Sequence, residues 1–535
     1  VAAAVLAGFF IVRFWFVTDD AFISFRYAHN LAAGDGLRYN LGVSPPVEGF
    51  SNFLWTLLLA GLALAGLDPV VMAPAISCLF GLALAAVVFR FLLRGARRNA
   101  SGRGGAVAAL FFMATFPPFF VWCTGGLETM LFAFLLFVTY EGLLGDSLRP
   151  RPVRAGLCAA LLVLCRPEGI IWAAALGGLY LADQKTRPDK SARSGRPLRP
   201  LAVFCILFVS TAGLFLAFRY AYYERLLPNT AQIKVSLSGA VLQRGANYVI
   251  HFALTFLTPA LLLAAIPFLA FKGRPRAEGS QPRSAFDRTV IHAAVLIAGC
   301  AAYSIAAGGD FMAMGRFMVP ATPFFALLFA AAFSRLAART AIPPIALWAL
   351  VAACLTVQAL PAFNRDLMPR SVLEAFKFRW RIPHETKSEY EQWSFMNHNQ
   401  KKWAAAGKAL REYASEGDSI VLLNIGAIGY YSKLFVYDEC GLVDPHVAER
   451  PPVPADAILS AGHDKMVHPS FFLRHDPTIY QVRVIEEHEV ARYTSEVRKF
   501  GVAPRGYTLK KIPLDKIDGA PKRITLMVIE RTRTP

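Results

Sequence analysis

The chain has 535 residues, 55% of them hydrophobic and only 17% charged, with a mean hydropathy of +0.42. That is too apolar for one soluble core of this length and marks a polytopic membrane protein. The formal charge of +19 does not point to nucleic acid, because many of the basic residues sit in short connectors between apolar runs and are not gathered on one folded surface.

The first apolar run, AAAVLAGFFIVRFWFV, ends at an Asp pair in VTDDAFISFRYAHN (17–30). Read as a helix over 19–30, the stretch puts Asp19, Arg26 and Asn30 on one face and Asp20, Ser24 and Tyr27 on an adjoining stripe, with Phe22, Phe25 and His29 elsewhere. A single Asp here is explained by helix capping through Thr18 or Asp19; two, beside Arg26 and Asn30, favour function. The next apolar run, 51–66, is short for a crossing and is expected to lie along the outer leaflet, whereas 70–93 crosses.

Arg- and Lys-rich connectors at 94–105, 147–154, 183–200, 271–288 and 334–340 mark the cytoplasmic side. Apolar stretches between them are mostly long enough to go out and back, so the hairpin tips WCTGGLETM (122–130), CRPEG (165–169), RYAYYERLLPNTAQIKVSLSG (219–239) and AAGGDFMAMGRF (306–317) face outward. The expected spans, about eleven, are 1–17, 70–93, 105–122, 126–143, 154–166, 168–182, 200–221, 248–271, 289–306, 317–338 and 341–361. An odd count places the C-terminus outside. Six of the eight cysteines lie in or beside apolar segments, where a thiol acts as a small hydrophobe, and no disulfide framework is implied.

From about residue 362 the composition turns polar and a soluble α/β domain is predicted over 362–535, behind a membrane domain of 1–361 whose first external loop is 18–69. A helix is expected at 401–417 and strands at 419–424, 433–439, 480–486 and 523–530. The NIGAIGYYS segment lacks GxGxxG spacing, and His384, His463, His468 and His475 lack the spacing of HExxH, so neither a dinucleotide site nor a zinc site is assigned.

Taken in order, DDAFISFRYAHNLAAGDGLRYNLG, VEGFSNFLW, GGLETMLF, CRPEG, LLPNTAQIK, GGDFMAMGRFMVP and IGAIGYYSKLFVYDECGLVDPHVA resemble the bacterial membrane arabinofuranosyltransferases that add terminal arabinose from a decaprenyl-phosphate donor. More broadly the chain resembles the GT-C glycosyltransferases, whose first external loop carries an acidic residue essential for transfer. Run 51–66 then corresponds to an outer juxtamembrane helix. The sequence departs from the expected pattern at Met314, where a small residue is expected, and in the Pro-rich step VSPPVEGF.

The resemblance implies a membrane glycosyltransferase moving a sugar, arabinofuranose by analogy, from a polyprenyl-phosphate donor to a glycan or protein acceptor at the outer face of a bacterial cytoplasmic membrane. Such an enzyme needs cations for the phosphate. Lys234 and Arg316 lead, with Arg166 and Arg26 behind them; interfacial snorkelling is the ordinary alternative for each. Arg166 lies inside an apolar hairpin, where pairing with Glu168 competes with a ligand role. A carboxylate must accept the acceptor's proton, for which Asp19 and Asp20 lead and Asp310 is third. An Asp pair also suits a divalent cation, although its other oxygen ligands are not legible. Asn30, Glu48, Asn52, Trp55, Glu128, Glu168, Asn229 and Asp310 complete the expected substrate site, with Trp55 equally suited to an interfacial anchor and Glu128 to a helix N-terminus. A lipid-linked sugar transporter and a non-catalytic scaffold are the rival readings. The clustering of polar tips on one face argues against the first, since transporter sites lie near the midplane; the acidic and basic tips are unexplained by the second.

Overall fold

A computed structural model describes the chain apart from residues 97–99, 146–148, 186–197, 235–237, 258–284, 340–341, 368–369, 372–386, 452–464 and 533–535. The protein is a multi-pass helical membrane protein. Five helical stretches among the described residues are long and apolar enough to cross a bilayer: Pro69–Gly95, Leu198–Tyr223, Arg288–Ala306, Arg316–Ala338 and Pro344–Phe363. Each matches an expected span. The first expected span is a shorter helix, α1 (Ala2–Arg13).

The other expected spans are shifted, shortened or, in one case, divided, each for a local reason. Stretch 105–122 splits into Ala100–Thr115 and Pro117–Trp122, because Pro117 disfavours helical backbone at Phe116, which is extended. Stretch 126–143 becomes Thr129–Tyr140 followed by a π-turn at Glu141–Gly145, where Arg94 and Arg154 both pair with Glu141. Stretches 154–166 and 168–182 become Pro152–Cys165 and Gly169–Lys185, separated at Arg166, whose backbone is extended. Span 248–271 falls largely outside the described residues.

Helix α2 (Asp19–Ala32) follows α1, and its central residues from Ala21 to Ala28 are all buried. Helix α3 (Phe53–Leu64) has only 12 residues, shorter than the roughly 20 a crossing needs. It packs on α2 and on α4 (Pro69–Gly95), whose start is fixed by the Asp68 carboxylate accepting the Val70 amide and by Pro69 at the first position.

The last part of the chain begins with the helix Glu389–Tyr413, opened by a capping box between Ser388 and Glu391. Five strands follow: β1 (Ser419–Leu422), β2 (Phe435–Asp438), β3 (Ile479–Glu486), β4 (Tyr507–Pro513) and β5 (Ile524–Arg531). Their order is β2-β1-β3-β5-β4, with β1 parallel to β2 and β3, and β5 antiparallel to both its neighbours. Strand β4 was not anticipated, because YTLKKIP is a polar edge strand whose lysines and proline hide its pattern. The core of this sheet is continuous with the membrane-proximal loop: Ile23, Tyr27, Leu37 and Tyr39 share a buried cluster with Ile420, Leu422, Val436 and Val528.

Candidate active site

Helix α2 carries two polar faces with different partners. Asp19, Arg26 and Asn30 form the docking face. Asp19 accepts hydrogen bonds from the amides of Gly426 (3.2 Å) and Ala427 (2.8 Å), at the start of the short helix Ala427–Ser432. Arg26 donates to the carbonyls of Gly429 and Leu434, both at 2.8 Å, with its guanidinium 4.1 Å from the centre of the Tyr39 ring. Asn30 donates to the carbonyls of Arg38 and Tyr39. Thr18, not Asp19, occupies the N-cap of α2, and its side chain makes no capping bond. The capping expected of the Asp pair is therefore exerted on another helix. Burial pushes the Asp19 carboxyl up to about 7, against the pull of the two amides.

The second face, Asp20, Ser24 and Tyr27, looks toward loop 47–52. The Ser24 hydroxyl donates to Asn52 Oδ1 at 3.0 Å, and Tyr27 donates to the Val47 carbonyl. Asp20, one turn before Ser24, shares this side of the helix. Phe22, Phe25 and His29 occupy the remaining side against Tyr430, with Phe22 also touching Tyr431.

From Ser24 a buried chain of hydrogen bonds runs inward. Asn52 Nδ2 donates to Glu128 Oε2 at 2.7 Å, Glu128 Oε1 meets Arg166 Nη1 at 2.9 Å, and Arg166 Nε donates to Glu168. Glu128 sits at the N-cap of Thr129–Tyr140, the helix-end position the sequence suggests, makes no side-chain capping bond, and turns its carboxylate to this relay. Gly126, at φ +78°, makes the tip possible; a Cβ there would press on Val17 and Ala21 at 3.0 and 3.1 Å. Thr18 donates its amide to Gly125, which fixes the start of α2 against this tip.

Arg166 ends in a narrow pocket of about 20 Å³ that it shares with Glu168, Arg316, Tyr303, Phe317 and Trp172. Arg316 is 6% exposed and reaches the pocket from the GDFMAMGRF tip; its Nε donates to Asp310 at 2.6 Å, and its guanidinium lies 5.7 Å from the Trp122 ring. That single bond leaves its terminal nitrogens without a hydrogen bond to any described residue. Two guanidiniums beside an aromatic wall, set among apolar helices, present a positive charge of the kind that suits an anion.

Other expected residues have structural partners. Arg26, expected at the phosphate, is occupied by two carbonyls far along the chain. Glu48 forms a buried pair with Arg219, with Oε1 to Nη2 at 3.0 Å, and burial raises its carboxyl to about 7. Asn229 donates to the Gly441 carbonyl, tying the LLPNT tip to the sheet. Trp55 is fully buried and donates to the Gly126 carbonyl, so it is neither an open sugar platform nor an interfacial anchor. Lys234 ends the helix Asn229–Lys234, and its side chain lies outside the described residues. Among the described residues no group of three or more His, Cys, Asp or Glu is placed to hold a metal ion. Asp19 would have to exchange its amides for one.

Trp122, Tyr303 and Arg219 were not singled out from the sequence. Trp122 and Arg219 lie within quoted tips, but Arg219 finds its partner 171 positions away, and Tyr303 reads as one aromatic in an apolar helix.

Residues 389–519 match a family model described as a domain of unknown function, DUF8728. Over 359 residues, 61% of this chain, the sequence is 31% identical to the terminal beta-(1->2)-arabinofuranosyltransferase of Mycobacterium tuberculosis. The match covers 54% of that protein, so the chain spans about half the length of this curated relative. The crystal structures of ArnT from Cupriavidus metallidurans, apo and bound to undecaprenyl phosphate, each superpose with a TM-score of 0.53 at 14% identity, covering 98% of this chain and 96% of theirs. The chain thus has the fold of ArnT and resembles a terminal arabinofuranosyltransferase in sequence.

Proposed function

We propose that this chain is a membrane glycosyltransferase that moves a sugar, arabinofuranose on the pattern of its relative, from a polyprenyl-phosphate donor to a glycan or protein acceptor. One observation carries the reading: Arg166 and Arg316 converge on one aromatic pocket, and a buried relay joins Arg166 to the helix face that bears Asp20. The donor phosphate enters beside Arg316 and Arg166, with its polyprenyl chain among the apolar helices. ArnT crystallised with undecaprenyl phosphate supports a lipid of this class.

In a direct displacement the acceptor hydroxyl attacks the anomeric carbon while Asp20 takes its proton. The bond from that carbon to the phosphate oxygen breaks, and polyprenyl phosphate leaves with the bonding electrons, its new charge held by the two guanidiniums. Asp20 is favoured over Asp19, whose two oxygens hold backbone amides. Residues 1–361 form the membrane part; 18–69, 306–317 and 362–535 lie at the outer face, opposite the basic connectors. A radiolabelled polyprenyl-phosphate arabinofuranose, offered to purified protein with an arabinan acceptor, should yield labelled glycan. Movement of the donor across a vesicle membrane without a glycan product would instead identify a transporter.

A further inference from the structure

The tip that carries Arg316 is an improbable piece of backbone. Met314 and Gly315 are both left-handed, at φ +60° and +57°. For Met this costs about 1–2 kcal/mol, and a Cβ on Gly315 would lie 2.3 Å from the Phe252 ring. Something must hold the turn. Trp122 donates its indole N–H to the carbonyls of Ala313 and Met314, both at 3.2 Å, and the Phe317 amide donates to the Tyr248 hydroxyl at 3.1 Å.

The third restraint comes from the other end of the chain. Glu389 opens the helix Glu389–Tyr413 and is 2% exposed. Its Oε2 accepts the Met314 amide, and its Oε1 lies 2.5 Å from His251 Nε2. The capping box between Ser388 and Glu391 fixes the first turn from which Glu389 projects. A buried carboxylate is unfavourable unless hydrogen-bonded; here both oxygens are occupied, one of them by the amide two residues before Arg316.

We infer that Glu389 is a positioning residue for the donor site: by holding the Met314 amide it sets the left-handed turn that aims Arg316 into the pocket. The inference rests on the reading that Arg316 meets the donor phosphate. It gives the polar part of the chain a role in donor binding that its sequence does not announce.

Glu389→Asp keeps the charge and the helix but draws the carboxylate back by one methylene, out of reach of the amide. Glu389→Gln keeps the reach, since its carbonyl oxygen still accepts the Met314 amide. Tyr413→Phe removes the hydrogen bond to Glu530 at the far end of the same helix, away from the turn, and controls for general loss of stability. With purified full-length protein and polyprenyl-phosphate arabinofuranose, Glu389→Asp should raise the donor KM about tenfold, the effect of one lost hydrogen bond, with the acceptor KM unchanged. Glu389→Gln should stay near wild type, and Tyr413→Phe should lower thermal stability without moving the donor KM. A wild-type donor KM in Glu389→Asp, while an Arg316 variant shows a raised one, overturns the inference alone. A wild-type donor KM in both overturns it together with the assignment of Arg316.

Discussion

Removing the Arg316 charge tests the pocket, provided its partner is treated with it. The side chains of Arg316 and Asp310 are 7% and 3% exposed, so Arg316→Met alone strands a buried carboxylate, a loss of about 3–5 kcal/mol that would confound any binding measurement. The double variant Arg316→Met with Asp310→Asn removes both charges and leaves an apolar side chain against Trp122 and Phe317. One charged hydrogen bond to phosphate contributes about 1.5–3 kcal/mol. Its loss should weaken the affinity for polyprenyl phosphate by roughly 10- to 150-fold. Asp310→Asn alone should leave that affinity equal or tighter, because it removes an anion that competes for the same guanidinium. The assay is titration of the detergent-purified protein with polyprenyl phosphate, followed by ligand-induced thermal stabilisation. A folded double variant with wild-type affinity, or Asp310→Asn as weak as the double, would refute the assignment of Arg316 to the phosphate.

Asn52→Ala breaks the relay at its centre and leaves Glu128 and Ser24 short of a partner, so unfolding should become easier by about 1–3 kcal/mol and the melting temperature should fall. Asp19, raised from 3.8 to about 7 by burial, holds a proton in the folded state that the unfolded chain has lost. Its contribution therefore favours folding at low pH and declines as pH rises from about 4 to 7, and Asp19→Asn should flatten the fall in melting temperature across that window; an unchanged slope would show that the carboxyl is not raised. Single cysteines at the exposed positions Asp35 and Arg151, in a cysteine-free background, should react with an impermeant thiol reagent from opposite sides of the membrane. Labelling from one side overturns the topology.

How far the site was legible depends on the distance over which each signal acts. The helical period of VTDDAFISFRYAHN placed Asp19 with Arg26 and Asn30, and Asp20 with Ser24, on faces that the structure keeps separate. The same period could not say which face docks and which looks inward, because the deciding amides of Gly426 and Ala427 lie more than 400 residues away. For Arg166 the sequence left pairing with Glu168 and a ligand role in balance, since an unpaired charge among apolar residues is unfavourable; the structure shows the pair, with Glu128 as a second partner. Glu128 and Asn52 were named singly, and nothing local shows that they meet. At Met314, where the sequence departs from the family pattern, the backbone is left-handed, and Trp122 and Glu389 hold the turn; nothing local in the sequence shows either partner. Apolar length was a weaker guide at Pro117, which cuts a run that reads as continuous, whereas the break at Arg166 falls between two stretches that read as separate.

The central claim is that Asp20, not Asp19, takes the proton from the acceptor while the donor phosphate is held below it. Asp20→Asn and Asp19→Asn keep size and much of the hydrogen bonding, and each removes only one proton-accepting carboxylate. Turnover with polyprenyl-phosphate arabinofuranose and an arabinan acceptor should drop by roughly 10²- to 10⁴-fold in Asp20→Asn, with donor affinity retained. Asp19→Asn should keep most of its turnover, since an amide oxygen still accepts the Ala427 amide. Full turnover in Asp20→Asn would contradict the account.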